Sequence, residues 1–267
     1  MSKKEVFGTK EWAEVNANIE RGCPNACWYC YARANCARYG QKDPSTWATP
    51  EPDDKSVQKL LRKQTPKKVM FPTQHDITLN NLERCIEAIH GILNAGHQLL
   101  IVSKPKLGCI AQICNDCAGY RDKILFRFTI GAGDNDPLAM WEPGAPCFEE
   151  RMAALKLAYH YGFATSVSCE PLLVSDVSSV LSMVNNFFPF VTDAVWIGRM
   201  NYPDQRLSMN GAPDELIEKA KHLTEAHSDE FFLRLHRFLA GHPKIKWKES
   251  VKRVLGMEVP TTAGMDV

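Results

Sequence analysis

The sequence predicts an α/β protein built as a partial (β/α)6 TIM-like barrel with a helical C-terminal extension. Three observations predict it. Six short apolar segments alternate with helix-forming ones, the order that parallel strands with helical crossovers require. One of them, Gln98–Ser103, is a continuous apolar run, as in a strand covered on both faces. The alternating region spans about 200 residues, too few for a typical complete eight-unit barrel. Residues 1–211 are assigned to the barrel and 212–267 to the extension that closes it.

The elements follow in order. Residues 13–19 form the first strand candidate and deliver the chain to a cysteine-bearing loop. Residues 31–39 read as a helix, 41–54 as a loop rich in Pro, Asp and Thr, and 56–62 as a short helix. The second strand, Lys68–Phe71, runs into Pro72, Thr73, Gln74, His75 and Asp76. Leu82, Cys85, Ile86, Ile89 and Leu93 then share one helical face, with Thr78 as the cap and Gly96 as the stop. After the third strand, Gln98–Ser103, come a helix over 106–118, a fourth strand over 124–130 and a long loop over 131–147. A helix over 148–161 turns Phe148, Met152, Leu155 and Tyr159 to the core and stops at Gly162. The fifth strand spans 163–169, a helix 175–187 and the sixth strand 194–198. Helices over 214–227 and 229–240 and a short strand over 244–247 follow, and 258–267 reads as a frayed tail.

Composition narrows the function. A net charge of +1 gives no global pull toward nucleic acid or anionic membranes. No apolar run approaches the length that spans a bilayer, and the N-terminus lacks a signal core. Ten cysteines without a secretory signal fit a reducing cytoplasm and metal or redox chemistry.

The chemistry concentrates between Arg21 and Arg33, where Cys23, Cys27 and Cys30 stand in a Cys-x3-Cys-x2-Cys array. Three soft thiolate ligands this close suit an iron–sulfur cluster or a zinc ion. The local motif stops at three, which leaves one iron of a cubane free. The array, with Tyr29 before its last cysteine, resembles the signature of radical S-adenosylmethionine (radical SAM) enzymes. Gly22 to Tyr31 is similar to the spore photoproduct lyase branch and its phage-associated relatives.

The resemblance implies a [4Fe-4S] cluster on Cys23, Cys27 and Cys30 and SAM on the free iron. An electron donor such as flavodoxin or ferredoxin, and a nucleic acid or nucleotide as possible substrate, are implied with it. Tyr29 would support the SAM adenine. Most radical SAM enzymes carry a Gly-Gly-Glu-like segment after the second strand; here Gln74, His75 and Asp76 stand in its place. Gln74, Asp76, Ser103 and Lys104 are the candidates for the methionyl end of SAM, and Thr129 for its ribose. Glu142 and Arg151 are candidates to shape the active-site mouth, and Arg199 to contact substrate. Glu170 and Cys169 end the fifth strand, where a carboxylate could meet substrate and a thiol could return a hydrogen atom. Spore photoproduct lyase places its hydrogen-donor cysteine near the second strand, where this chain has none, so thymine-dimer repair is left without its donor.

Other readings stay open. Cys109, Cys114, Cys117 and Cys147 could bind a second metal, although helical cysteines commonly pack as small hydrophobes. The basic segment from Arg234 to Arg253 could bind nucleic acid or be a solvated face. An activase acting on a partner protein and a zinc-bound binding module are the alternatives to a radical SAM enzyme. The oligomeric state is not readable.

Overall fold

The computed structural model describes residues 5–63 and 65–265. Seven strands form one parallel sheet in which spatial order follows chain order. They are β1 (Val15–Asn16), β2 (Lys68–Phe71), β3 (Gln98–Ser103), β4 (Ile124–Thr129), β5 (Ala164–Cys169), β6 (Val195–Ile197) and β7 (Ile245–Trp247). All six expected strands join it. The seventh comes from the extension and pairs with β6, Trp247 opposite Ile197. β1 and β7 are the two edges, so the barrel is partial.

Parallel strands need crossovers, and helices supply them. α1 (Tyr31–Arg38) and α2 (Lys55–Leu61) follow β1, α3 (Leu82–Asn94) follows β2, and α4 (Leu107–Asp116) follows β3. α5 (Asn135–Trp141) and α6 (Phe148–His160) follow β4, and α7 (Val177–Phe187) follows β5. α8 (Pro203–Met209), α9 (Asp214–Ala226) and α10 (Asp229–Leu239) lead to β7, and α11 (Glu249–Lys252) comes after it.

Strand alternation divides the interior. One face of the sheet sends Phe71, Ile101, Phe126, Phe128, Val167 and Ile197 into the core shared with the helices. The other sends Met70, Leu100 and Trp196 against Trp12 and Ala13. Arg127 is fully buried on this inner face. Its guanidinium lies 4.6 Å from the Trp12 ring centroid and 5.2 Å from that of Trp196. It donates to Ser166 Oγ at 3.0 Å and to Asp193 Oδ2 at 2.9 Å, the partners a buried cation requires. This plug fills the barrel below the strand ends and leaves a cavity above it.

Several details depart from expectation. The loop over 131–147 contains α5, whose N-cap Asp134 accepts from Asp136 N. The stretch after β6 contains α8. Glu51–Pro52, expected in a loop, pairs antiparallel with Glu20–Arg21. The start of α3 is marked by Asn81, not Thr78; the Asn81 side chain accepts the Thr78 N–H at 2.8 Å. Tyr159 is exposed, and the buried side of this helix is made by Arg151, Met152, Ala154, Leu155 and Ala158. The tail is held as far as residue 264: Pro260 O accepts Val6 N and Gly264 N donates to Lys10 O. Residues 266 and 267 lie outside the described residues.

Candidate active site

A cavity of about 570 Å³ opens at the carboxyl ends of the strands, the end where barrel folds carry their chemistry. Cys23, Cys27 and Cys30 line it together. Their loop is shaped by backbone contacts. Gly22 has φ +116, and a Cβ there would stand 2.8 Å from Trp47 O, the oxygen that accepts the Cys23 N–H at 2.9 Å. Ala26 adopts φ 47, a left-handed strain that the surroundings must hold. Trp28 N donates to Trp141 O at 3.0 Å. Cys30 begins α1, and its sulfur accepts the Arg33 N–H at 3.4 Å, where a helix N-terminus favours negative charge.

The three thiols are free. Burial raises the pKa of each, that of Cys27 to about 12, so they stay protonated until a metal displaces the protons. Among the described residues no three His, Cys, Asp or Glu side chains gather as around a single ion. The ligands of a multi-iron cluster bind different irons and need not converge on a point. Three free, soft sulfurs around one cavity fit such a cluster.

A polar network joins this loop to the strand ends. Asp76 Oδ2 accepts from Asn25 Nδ2 at 2.8 Å, and Oδ1 accepts from Ser103 Oγ at 2.6 Å and Lys104 N at 2.7 Å. Asn18 Oδ1 accepts the backbone N–H groups of Thr73 and Gln74, both at 2.7 Å. Gln74, Asp76, Ser103, Lys104 and Thr129 all line the cavity. The Lys104 ammonium lies 5.6 Å from the Tyr29 ring centroid and forms no ion pair with an acid among the described residues. Burial pulls its pKa down, but Cys27, Tyr29, Glu142 and Asp76 together outweigh this and raise it.

The sequence matches no family model and no curated protein. Its fold does match solved structures. A spore photoproduct lyase variant with bound AdoMet and dinucleoside spore photoproduct aligns with TM-score 0.58 and 15% identity, over 92% of this chain and 79% of the lyase. A cysteine-to-serine variant of the lyase aligns with TM-score 0.56 and 14% identity, over 91% and 78%. Streptococcus suis SuiB bound to S-adenosylmethionine aligns with TM-score 0.51 and 8% identity, over 94% of this chain and 55% of SuiB.

The chain has the fold of spore photoproduct lyase.

On this lyase-like fold three expected site residues change place. Glu142 and Arg151 are fully buried and paired at 2.5 Å, and neither lines the cavity. They stand behind its wall: Glu142 accepts from the Tyr29 hydroxyl, and Arg151 donates to Thr129 O at 3.2 Å and Pro146 O at 2.8 Å. They are braces, not contacts at the mouth. Cys169 is fully buried in the core beneath the helices. Alternation turns Ser168 into the cavity and Cys169 away, so its thiol does not line the cavity. Cys109, Cys114 and Cys117 are likewise buried in that core, and Cys147 is exposed before α6.

Glu170 does line the cavity, accepting from Asn201 Nδ2 at 3.1 Å with Lys248 Nζ 3.5 Å away. Arg199 lines it too, paired with Asp229 at 2.6 Å. Sequence reasoning missed Asn18, Tyr31, Tyr202, Arg206 and Asn210. Tyr31 lines the cavity and donates to Thr73 O. Its place directly after the last cysteine is the one signal that could have found it.

Proposed function

We propose that this protein is a radical SAM enzyme. Cys23, Cys27 and Cys30 would hold a [4Fe-4S] cluster. Bound there with SAM, the cluster would supply reductive cleavage of SAM to a 5′-deoxyadenosyl radical that takes hydrogen from the substrate. Lys104 supplies a half-buried positive charge for the SAM carboxylate, with Ser103 and Asp76 fixing the backbone beside it. Gln74 offers an amide oxygen to the SAM ammonium, Thr129 a hydroxyl to the ribose and Tyr29 a ring to the adenine. Glu170 and Arg199 face the substrate side. A nucleic acid or nucleotide substrate is supported by the lyase-like fold alone, and a cytoplasmic flavodoxin or ferredoxin would deliver the electron. No helix among the described residues is long and apolar enough to cross a membrane.

The observation that carries this reading is the convergence of three free thiols and an acid-free lysine on one strand-end cavity. The test is anaerobic: reconstitute with iron and sulfide, add SAM and a strong reductant, and assay 5′-deoxyadenosine. The wild type forms it and Cys30→Ala does not. A protein that takes up zinc, assembles no cluster and leaves SAM intact would sink the reading.

A further inference from the structure

We propose that Arg206 is the anchor for an anionic oxygen group of the substrate, a phosphate or a carboxylate. Three arginines line the cavity: Arg199, Arg206 and Arg253. Arg199 pairs with Asp229 at 2.6 Å, and Arg253 with Glu5 at 2.7 Å and with Glu249. The Arg206 guanidinium has neither an ion pair nor a hydrogen bond among the described residues. Its guanidinium lies over two tyrosine rings, 5.9 Å from the Tyr31 centroid and 5.7 Å from that of Tyr202. Such rings meet the flat face of a guanidinium and leave its in-plane N–H donors unspent. Those donors form a fork that suits two oxygens of one anion.

The surroundings hold this arrangement at a cost. Burial lowers the Arg206 pKa, against the charge of Glu170. An anion in the cavity would offset that desolvation. Tyr202, the residue before α8, sits at φ 54 and ψ 49, a left-handed conformation rare for an aromatic residue. It is 72% exposed, so burial of its ring does not explain the strain.

The choice of substrate over cofactor rests on the proposed function. SAM carries one carboxylate, and Lys104, the other cavity cation without an acid partner, is its partner in that reading. Arg206 is then left for a second anion.

The experiment uses the anaerobically reconstituted full chain. Phenyl phosphate and benzoate are the anion probes, read by ligand-observed NMR, and SAM binding is read by calorimetry. The proposal expects at least one probe to bind, and Arg206→Gln to weaken it about tenfold, the loss of one charge-assisted contact. Arg206→Lys, which keeps charge without the fork, falls between. SAM affinity shifts less than about twofold by the same arithmetic. The preferred probe tells phosphate from carboxylate. If Arg206→Gln instead weakens SAM and spares the probes, the arginine serves the cofactor and the proposal is overturned. It is also overturned if neither ligand changes while the melting temperature stays at the wild-type value. A wild type that binds no SAM fails the radical SAM reading separately, since probe binding to Arg206 is measured without SAM.

Discussion

Single side chains fix this site before any ligand arrives. Asp76 ties three chain segments together with three accepted hydrogen bonds, and its neighbour His75 ties in the segment at Ile19. His75 Nε2 accepts the Ile19 N–H at 3.2 Å, and Nδ1 bonds Asp76 O at 3.0 Å. That pattern needs a neutral ring with its proton on Nδ1. Burial lowers the His75 pKa below 6.5, ahead of the opposing pull of Asp76 and Glu20. Because the folded pKa is depressed, the unfolded chain binds the proton more readily. The stabilisation is complete above about pH 6.5 and is lost as pH falls from there toward the folded value, at up to about 1.4 kcal/mol per pH unit. Urea midpoints should therefore fall between pH 7.5 and pH 5.5. His75→Gln, which keeps an acceptor for Ile19, should show a flatter dependence, with buried His227 supplying part of the remainder. Equal slopes in the two proteins would mean that the ring is not held neutral. Asp76 was legible because it follows a strand directly. Asn18 was not, because its partners Thr73 and Gln74 lie 55 and 56 residues away and nothing local marks the pairing.

Short elements carry the cysteine loop. Gly144, in the turn between α5 and α6, approaches so closely that a Cβ would meet Pro24 O at 2.3 Å. From the other side, Asn210 at the end of α8 is fully buried and donates to Trp28 O at 2.7 Å and Cys30 O at 3.0 Å. Replacing it with alanine removes both bonds and leaves the Trp28 carbonyl unpaired, while Cys30 O keeps the Ala34 N–H, a cost of about 1–3 kcal/mol. Asn210→Ala should lower the melting temperature and slow iron uptake. Asn210→Asp, which has no amide donor, should behave in the same way, and Asn210→Gln should recover part of the loss. Unchanged uptake in the alanine variant would show that α8 does not hold the loop. The cysteine motif was legible because its meaning lies in local spacing. α5 and α8 were hidden because each has seven residues, too few to establish a helical period, and both lie within stretches punctuated by Pro and Gly.

The six-strand barrel was legible for a general reason: strands buried on both faces write themselves as apolar runs. The contact that fastens the two ends was not, because it is a pair of polar residues, Glu11 and Lys248, far apart in the chain. Lys248, just after β7, is 2% exposed. Its Nζ pairs with Glu11 at 2.7 Å, donates to Gly8 O at 3.1 Å and lies 3.9 Å from the Trp12 ring centroid. Glu249 N donates to the other Glu11 oxygen at 3.1 Å, so the N- and C-terminal segments are fastened through one buried pair. Burial raises the Glu11 pKa, and Lys248 opposes it. Lys248→Ala strands that carboxylate and should destabilise the fold by about 3–5 kcal/mol. The double variant Glu11→Gln with Lys248→Met removes both charges and should recover much of the loss, as a thermodynamic cycle would read. Hydrogen exchange then locates the effect. In Lys248→Ala, amides of residues 8–13 and 245–252 should lose protection together. Loss confined to one end would mean that the termini close the barrel independently and that the pair is a local contact.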